Sequence, residues 1–302
     1  MFINDKTVCH AMHTAVILFS LIFSQVAFAE PVMIESDWLA QHVDDKGLLI
    51  VDMSSDPLQY TRFHIPGAVR LSYDELQRVR KPDSVKLRIS NPQFYTLLGK
   101  LGISRKTYVV IYDDMGGLNA GRMFWQLEQI GHPRASVLNG GLVSWIQEGH
   151  KVTGQATEPS VATYQPVQEF RDNEIAYSAV REQIKTNQSV FIDVRSREEY
   201  QGSPRLSRSG HIPGALWWPW ENSIDTDNAF RHKPLKELQA QLIQIGVSPK
   251  KPVIVYCRTG HRASQSYLTL RALGYTRVQL YDGSMAEYSQ HRDAPLMKSG
   301  SH

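Results

Sequence analysis

The chain contains one unit twice, and that repetition constrains its fold more than any other feature. His64-Ile65-Pro66-Gly67-Ala68 recurs as His211-Ile212-Pro213-Gly214-Ala215. The flanking segments recur in the same order: Leu48-Leu49-Ile50-Val51-Asp52 matches Val190-Phe191-Ile192-Asp193, and Val109-Val110-Ile111-Tyr112-Asp113 matches Val253-Ile254-Val255-Tyr256-Cys257. Val137-Leu138-Asn139-Gly140-Gly141 then matches Leu280-Tyr281-Asp282-Gly283-Ser284. The offset is 141 residues at Asp52, 147 at the shared pentapeptide and 144 at Asp113. Drifts this small are changes of loop length, so a whole domain has been duplicated. A length of 302 residues lets each copy bury its own core.

Each unit alternates short, continuous, β-branched runs with segments of helical period. Met123, Phe124, Leu127 and Ile130 fall at helical spacing, as do Ala263, Tyr267, Leu270 and Leu273, and Gly131 and Gly274 follow as C-cap residues. Strands apolar on both faces and interleaved with helices predict an α/β fold, two tandem domains each with a mostly parallel sheet covered by helices. The domains are expected at 30–151 and 169–302, joined by a linker at 152–168 that carries Gly154, Pro159 and Pro166.

Residues 1–29 read as a cleavable secretory signal. Lys6 precedes an apolar run from Ala15 to Phe23 that is too short to span a bilayer, and Ala27-Phe28-Ala29 suits a signal peptidase. In a Gram-negative bacterium this predicts a periplasmic protein without a lasting membrane anchor. Of the two cysteines, Cys9 leaves with the signal, so the mature chain holds Cys257 alone and forms no internal disulfide. The net charge of +3 is mild, and the basic stretch from Arg78 to Arg88 reads as a solvated loop, so nucleic acid is not an expected partner.

The chemistry concentrates after the strand Val253–Tyr256. Cys257-Arg258-Thr259-Gly260-His261-Arg262 forms a short polar loop leading into a helix, at the carboxyl end of a strand where α/β sheets bind ligands. Backbone N–H groups, the helix dipole and the two arginines all favour negative charge on the sulfur, and Gly260 lets the backbone curl. A buried structural cysteine would not call for that company. The first unit has Asp113-Asp114-Met115-Gly116-Gly117 at the same place, so it is expected to be catalytically silent, with a metal-binding acid pair as the alternative. Asp52, Asp193, His64 and His211 occur in both copies, and the histidines are expected to be structural. Arg195 has Ser54 as its counterpart, and is expected either to reach the active loop or to form an ion pair.

Over the mature chain these residues resemble the tandem rhodaneses, the thiosulfate and 3-mercaptopyruvate sulfurtransferases. The resemblance rests on the paired His-Ile-Pro-Gly-Ala motifs, Asp193-Val194-Arg195, the Cys257 loop and Tyr281-Asp282-Gly283-Ser284 with Glu287-Tyr288. It implies double displacement: Cys257 takes a sulfane sulfur as a persulfide and passes it to cyanide or a thiol, with no metal or organic cofactor. Arg258, Thr259, Gly260, His261 and Arg262 would cradle the persulfide, with Asp193 and Arg195 in support. Vertebrate thiosulfate enzymes have a lysine where Thr259 stands and an arginine where Glu199 stands, while mercaptopyruvate enzymes have glycine in place of Arg258. With Arg258 and Arg262 both cationic, thiosulfate is the expected donor. The alternatives are 3-mercaptopyruvate as donor, or a persulfide carrier delivering sulfur to a protein partner. A cysteine phosphatase fits less well, because four residues rather than five separate Cys257 from Arg262.

Overall fold

A computed structural model of the protein describes residues 30–167 and 170–299; the expected secretory signal lies outside the described residues. The first domain contains strands β1 (Met33–Ile34), β2 (Leu48–Asp52), β3 (Val69–Arg70), β4 (Gln77–Arg80), β5 (Val85–Arg88), β6 (Tyr108–Tyr112) and β7 (Ala135–Leu138). Its helices are α1 (Ser36–His42), α2 (Pro57–Arg62), α3 (Asn91–Lys100), α4 (Leu118–Gln129) and α5 (Gly141–Gln147). The second contains α6 (Tyr177–Thr186), β8 (Val190–Asp193), α7 (Arg197–Gln201), β9 (Leu216–Trp217), β10 (Ile224–Asp225) and β11 (Arg231–His232). It continues with α8 (Leu235–Gln244), β12 (Val253–Tyr256), α9 (His261–Ala272), β13 (Val278–Leu280) and α10 (Ser284–Tyr288).

The tandem α/β reading holds. The first sheet runs β1-β7-β6-β2-β3 and the second β13-β12-β8-β9, and every pairing in both is parallel. The counterpart of β1 in the second sheet shrinks to a single parallel bridge, Glu174 to Leu280. Central strands β6 and β12 are buried along their whole length, which is why they read as unbroken apolar runs rather than alternating ones.

The domains meet on α4 and α9, which lie against each other at the seam. A Cβ on Gly121 would stand 2.8 Å from the Ser264 carbonyl oxygen, so the glycine permits this close approach. With a sheet on one side and a partner helix on the other, α4 is buried around most of its circumference, and Asn119, Arg122 and Gln126 are buried with it. Gln126 is satisfied within its own domain by the Leu76 carbonyl, whereas Asn119 and Arg122 take partners across the seam. The linker crosses the first domain without regular structure, anchored by an antiparallel bridge from Thr153 to His64 and by buried Tyr164 beside His132.

The basic stretch departs from its expected form. Arg78 to Arg88 is an antiparallel hairpin, β4–β5, rather than a solvated loop, and it reaches onto the second domain. Arg80 pairs with Glu287 at 2.7 Å and Arg88 with Glu174 at 2.7 Å. Partners 207 and 86 residues away make those arginines structural, and no local pattern announces partners so distant. The second domain answers with β10–β11, whose Arg231 pairs with Glu35 at 2.8 Å. Each domain thus lays a hairpin against the other.

Candidate functional site: the Cys257 loop

Cys257 follows β12 directly and is buried, at 1% exposure. Its N–H donates to Ser284 Oγ at 3.1 Å, while its carbonyl and that of Arg258 accept from the first-turn amides of α10, Met285 at 3.1 Å and Ala286 at 2.8 Å. Ser284 adopts the left-handed conformation (φ 48°), which costs a non-glycine residue about 1–2 kcal/mol. Two hydrogen bonds hold it there, the one from Cys257 and its own hydroxyl to the Tyr281 carbonyl at 2.7 Å.

Beyond the cysteine the chain curls through Gly260 (φ 83°), the N-cap of α9. Among the described residues, the N–H groups from Arg258 through Ala263 meet no protein acceptor, and all lie in the curl or the first helical turn that follows Cys257. Together with the positive end of α9 they form an anion cradle. A Cβ on Gly260 would lie 2.5 Å from Asp282 Oδ1 and 3.1 Å from Arg122 Nη1, so glycine is required twice over, by φ and by space.

The first domain shows what such a cradle holds. There the strand-end residue is Asp113, whose carboxylate folds back into its own loop. Oδ1 accepts from the N–H groups of Met115 and Gly117, both at 2.9 Å, and Oδ2 from those of Asn119 and Ala120 at 2.8 and 2.9 Å. A built-in anion therefore satisfies four N–H groups. Burial still pushes the Asp113 carboxyl above its usual range, against these hydrogen bonds. Asp114 is engaged too, accepting from the Ser55 N–H and hydroxyl at 2.8 Å each, so both acids of the alternative metal pair are committed to hydrogen bonds.

The side chains of the thiol loop divide their tasks. Arg258 is exposed and has no ionic partner among the described residues. Arg262 instead makes a two-pronged ion pair with Glu199, at 2.7 and 3.0 Å. Burial opposes the charge on both partners. The mutual hydrogen bonds and Coulomb attraction win, holding the Glu199 carboxyl below and the Arg262 guanidinium above their usual ranges. The expectation of two free loop cations is thus corrected to one. The carboxylate that cancels the second lies 63 residues upstream, within hydrogen-bonding reach only in the fold.

His261 points away from the loop toward the first domain. Its Nε2 lies 2.8 Å from Asn119 Oδ1, and Asn119 Nδ2 donates to the Met53 carbonyl, so the amide presents its oxygen and His261 is the donor. The ring packs on Tyr73 with centroids 4.2 Å apart. Burial first, then the Arg122, Arg262 and Lys86 charges, lower the His261 pKa to about 4. Thr259 stands half-buried in the curl.

Asp193 and Arg195 lie behind the loop as a buried pair. The guanidinium holds both carboxylate oxygens, closing at 2.5 Å, and also donates to the Gly210 carbonyl at 2.8 Å. Of the two expected roles for Arg195, the ion pair is the one formed, and it is buried rather than on the surface. Arg195 and Arg258 still share a cleft of about 270 Å³ with Met285 and the Gly202–Gly210 segment. His64 and His211 play matching structural parts, with Nδ1 on the Tyr60 and Tyr200 carbonyls at 2.7 and 2.8 Å and the rings stacked on those tyrosines. Trp217 hydrogen-bonds the Arg195 carbonyl, and Trp218 is buried in the core.

Three neighbours of the loop, Tyr73, Asn119 and Arg122 of the first domain, carry no mark of their own in the sequence, whereas Glu199, Asp282 and Ser284 of the second stand out there through the repeat and the family motifs but without a role. The available signal for two of them was divergence between the repeats, because Asp282 stands where the first unit has Asn139, and Arg122 where the second has Gln265.

The family model for the Rhodanese-like domain matches the chain twice, over residues 35–148 and 177–291. A thiosulfate sulfurtransferase of Azotobacter vinelandii is 33% identical, with 88% of this chain and 97% of that protein covered. The sulfur carrier protein TtuD of Thermus thermophilus is 31% identical, with 90% and 99% covered. Among solved structures, the 3-mercaptopyruvate sulfotransferase SseA of Escherichia coli superposes with a TM-score of 0.73 at 28% identity, covering 84% of this chain and 99% of that one.

Proposed function

The chain belongs to the rhodanese family, and from that premise we propose that it moves a sulfane sulfur from thiosulfate to cyanide or a thiol through a persulfide on Cys257. One observation carries the reading. Where the first domain fills its N–H cradle with the Asp113 carboxylate, the equivalent N–H groups of the second follow directly on Cys257 and have no protein acceptor among the described residues.

In the first step the Cys257 thiolate attacks the outer sulfur of thiosulfate. A new S–S bond forms, the donor's S–S bond breaks, and its electron pair leaves on sulfite. The persulfide carries its negative charge on the terminal sulfur, beneath the N–H groups of residues 258–263 and the N-terminus of α9. Cyanide then attacks that sulfur, thiocyanate departs and the thiolate returns, giving two-step kinetics. Arg258, exposed and unpaired among the described residues, draws in the dianionic donor. Asp193, Arg195, Thr259 and Gly260 hold the shape of the loop.

A second reading shares the first step and delivers the sulfur to a protein partner. The Thermus relative, named a sulfur carrier at 31% identity, favours it, while the Escherichia coli neighbour keeps 3-mercaptopyruvate in view as donor. We also propose that the chain is exported and begins at Glu30; intact mass of the protein from a periplasmic extract tests this.

The primary test mixes the protein with thiosulfate and weighs it intact beside Cys257→Ser. One added sulfur on the wild type alone, discharged by cyanide, is the expected result. A gain from 3-mercaptopyruvate only would overturn the donor. No gain from either would overturn enzymatic transfer from small donors in favour of the carrier reading.

A further inference from the structure

Arg122 is the cation most completely removed from water beside the thiol loop, and it belongs to the domain without a cysteine. Its side chain is 1% exposed and meets Asp282, 3% exposed, with Nη1 2.5 Å from Oδ1. Its Nε is buried without a hydrogen-bond partner, and its guanidinium lies 4.8 Å from the centre of the Trp125 ring. The other oxygen of Asp282 accepts from the Arg88 N–H of β5 at 2.6 Å. Asp282 is therefore clamped by two groups of the first domain, and it stands against Gly260, where the thiol loop turns into α9.

The repeat supplies an internal control. Asn139, the counterpart of Asp282, accepts from the His232 N–H of β11 at 2.8 Å, just as Asp282 accepts from Arg88 in β5. Gln265, the counterpart of Arg122, reaches the Gly116 carbonyl and Ser223. The two halves of the seam are thus built alike, hairpin to loop and helix to loop. They differ in buried charge: facing the silent loop the two matched positions are the neutral Asn139 and Gln265, and the nearby Arg231–Glu35 pair is partly exposed to solvent, whereas facing Cys257 the same two positions form a buried ion pair. A buried ion pair is costly to desolvate and adds little net stability over an apolar or neutral replacement. Its placement on the thiol side alone calls for a role other than holding the domains together.

We propose that Arg122 is a positioning residue for sulfur transfer, acting from the first domain by fixing Asp282 against Gly260, so that the N–H groups of the loop converge on the Cys257 sulfur and the Asp282 carboxylate is neutralised beside it. The domain that has lost its own thiol thereby completes the site of the other. This proposal rests on the persulfide reading for its rate assay but not for its test of thiol reactivity.

Charge reaches the loop from every side. Arg258 and the Arg262–Glu199 pair belong to the second domain, Lys86 and Tyr73 to the first, and the Arg88–Glu174 pair bridges the two beside Arg122 and Asp282; Tyr73 is held to about 12 chiefly by burial, which also raises the Glu174 carboxyl. None of these touches Asp282 through a side-chain hydrogen bond, but the Arg122 charge also acts on Tyr73, His261 and Glu174, so Arg122→Lys, which keeps the charge, is the control for those wider effects. Arg122→Met leaves the carboxylate bare next to the loop and removes one of its two clamps.

The experiment uses the full-length protein and two readouts: the pH profile of iodoacetamide alkylation at Cys257, followed by peptide mass, and steady-state sulfur transfer. In Arg122→Met the alkylation profile moves up by about one pH unit, a tenfold loss of reactive thiolate at fixed pH. Transfer slows by about 10²-fold in kcat, the scale of a misplaced reacting geometry, with the KM for donor within about threefold because Arg122 lies out of the donor's reach. Arg122→Lys restores both to within about fivefold. Arg122→Met/Asp282→Leu replaces the buried pair with apolar groups, a change that such sites tolerate. It keeps the thermal midpoint yet remains slow in transfer.

A folded double variant with wild-type kcat would overturn the proposal, as would a folded Arg122→Met with unchanged alkylation. If Arg122→Met does not fold, the Lys and double variants decide the matter by the same criteria. Should the wild type accept no sulfur from any donor, the persulfide reading fails alone, and the alkylation profiles still decide whether Arg122 tunes the thiol.

Discussion

Replacing Glu199 by Gln separates the charge of the thiol loop from its shape. In the wild-type protein the Arg262 guanidinium holds both Glu199 oxygens, at 2.7 and 3.0 Å, so the pair presents little net charge to an arriving anion. The amide keeps the size and one acceptor but frees Arg262 as a second cation beside Arg258. At about 6 Å in a water-like dielectric, one added cation stabilises a dianion such as thiosulfate by about 1.4 kcal/mol, roughly tenfold in binding. Side-chain exposures of 24% for Arg262 and 29% for Glu199 support this screened figure over an interior one. Losing the pair costs the fold no more than about 1 kcal/mol. Thiocyanate formation from thiosulfate and cyanide reads the effect. The KM for thiosulfate falls about tenfold at low salt, the gain shrinks near ~0.5 M salt, and kcat barely moves. An unchanged or raised KM in a folded variant would refute the reasoning, because it would mean that Arg262 does not face the path of the donor.

Three further outcomes follow from the same geometry. Asp113→Asn turns an amide nitrogen toward backbone donors and destabilises the first domain by about 2–3 kcal/mol in urea unfolding, without altering Cys257 alkylation. Gly260→Ala places a Cβ 2.5 Å from Asp282 Oδ1 and loses stability and transfer together, whereas Gly214→Ala, at φ +76° with nothing within 4 Å, loses only the backbone strain of about 1–2 kcal/mol. Buried His132 has its pKa lowered by desolvation from 6.5 to about 4. The unfolded chain therefore takes up the proton first, and stability that is complete above pH 6.5 is lost as the pH falls toward 4, by about 3 kcal/mol. Thermal midpoints between pH 7 and 4.5 should fall steeply in the wild type and less steeply in His132→Gln.

What the sequence disclosed was whatever is written locally. The runs at Val109 and Val253, the helical spacing before Gly131 and Gly274, and the crowding of Cys257, Gly260 and Arg262 are each contained in a dozen residues, and each predicted its element or loop correctly. What it withheld depends on contacts between distant residues. Glu199 cancels Arg262 across 63 residues, Arg122 meets Asp282 across 160, and the Arg88 N–H reaches Asp282 across 194. The hairpin from Arg78 to Arg88 read as a solvated loop for the same reason, since its charges are paired only once the second domain is in place.

The duplication nevertheless supplies a partial remedy, because two copies of one fold meet similar local requirements, and a change of chemistry at matched positions beside the functional loop points to a difference of task. Asp113 against Cys257, Asn139 against Asp282 and Gln265 against Arg122 are three such differences, scattered along the chain and on two domains. The fold gathers all three around one pair of equivalent loops. On one side a carboxylate fills the cradle and the two seam positions beside it are neutral; on the other Cys257 heads a cradle whose N–H groups have no protein acceptor among the described residues, and a buried ion pair occupies those seam positions. The first domain has kept the seam, the hairpin and the helix that carries Arg122, which are the parts the second domain's loop leans on.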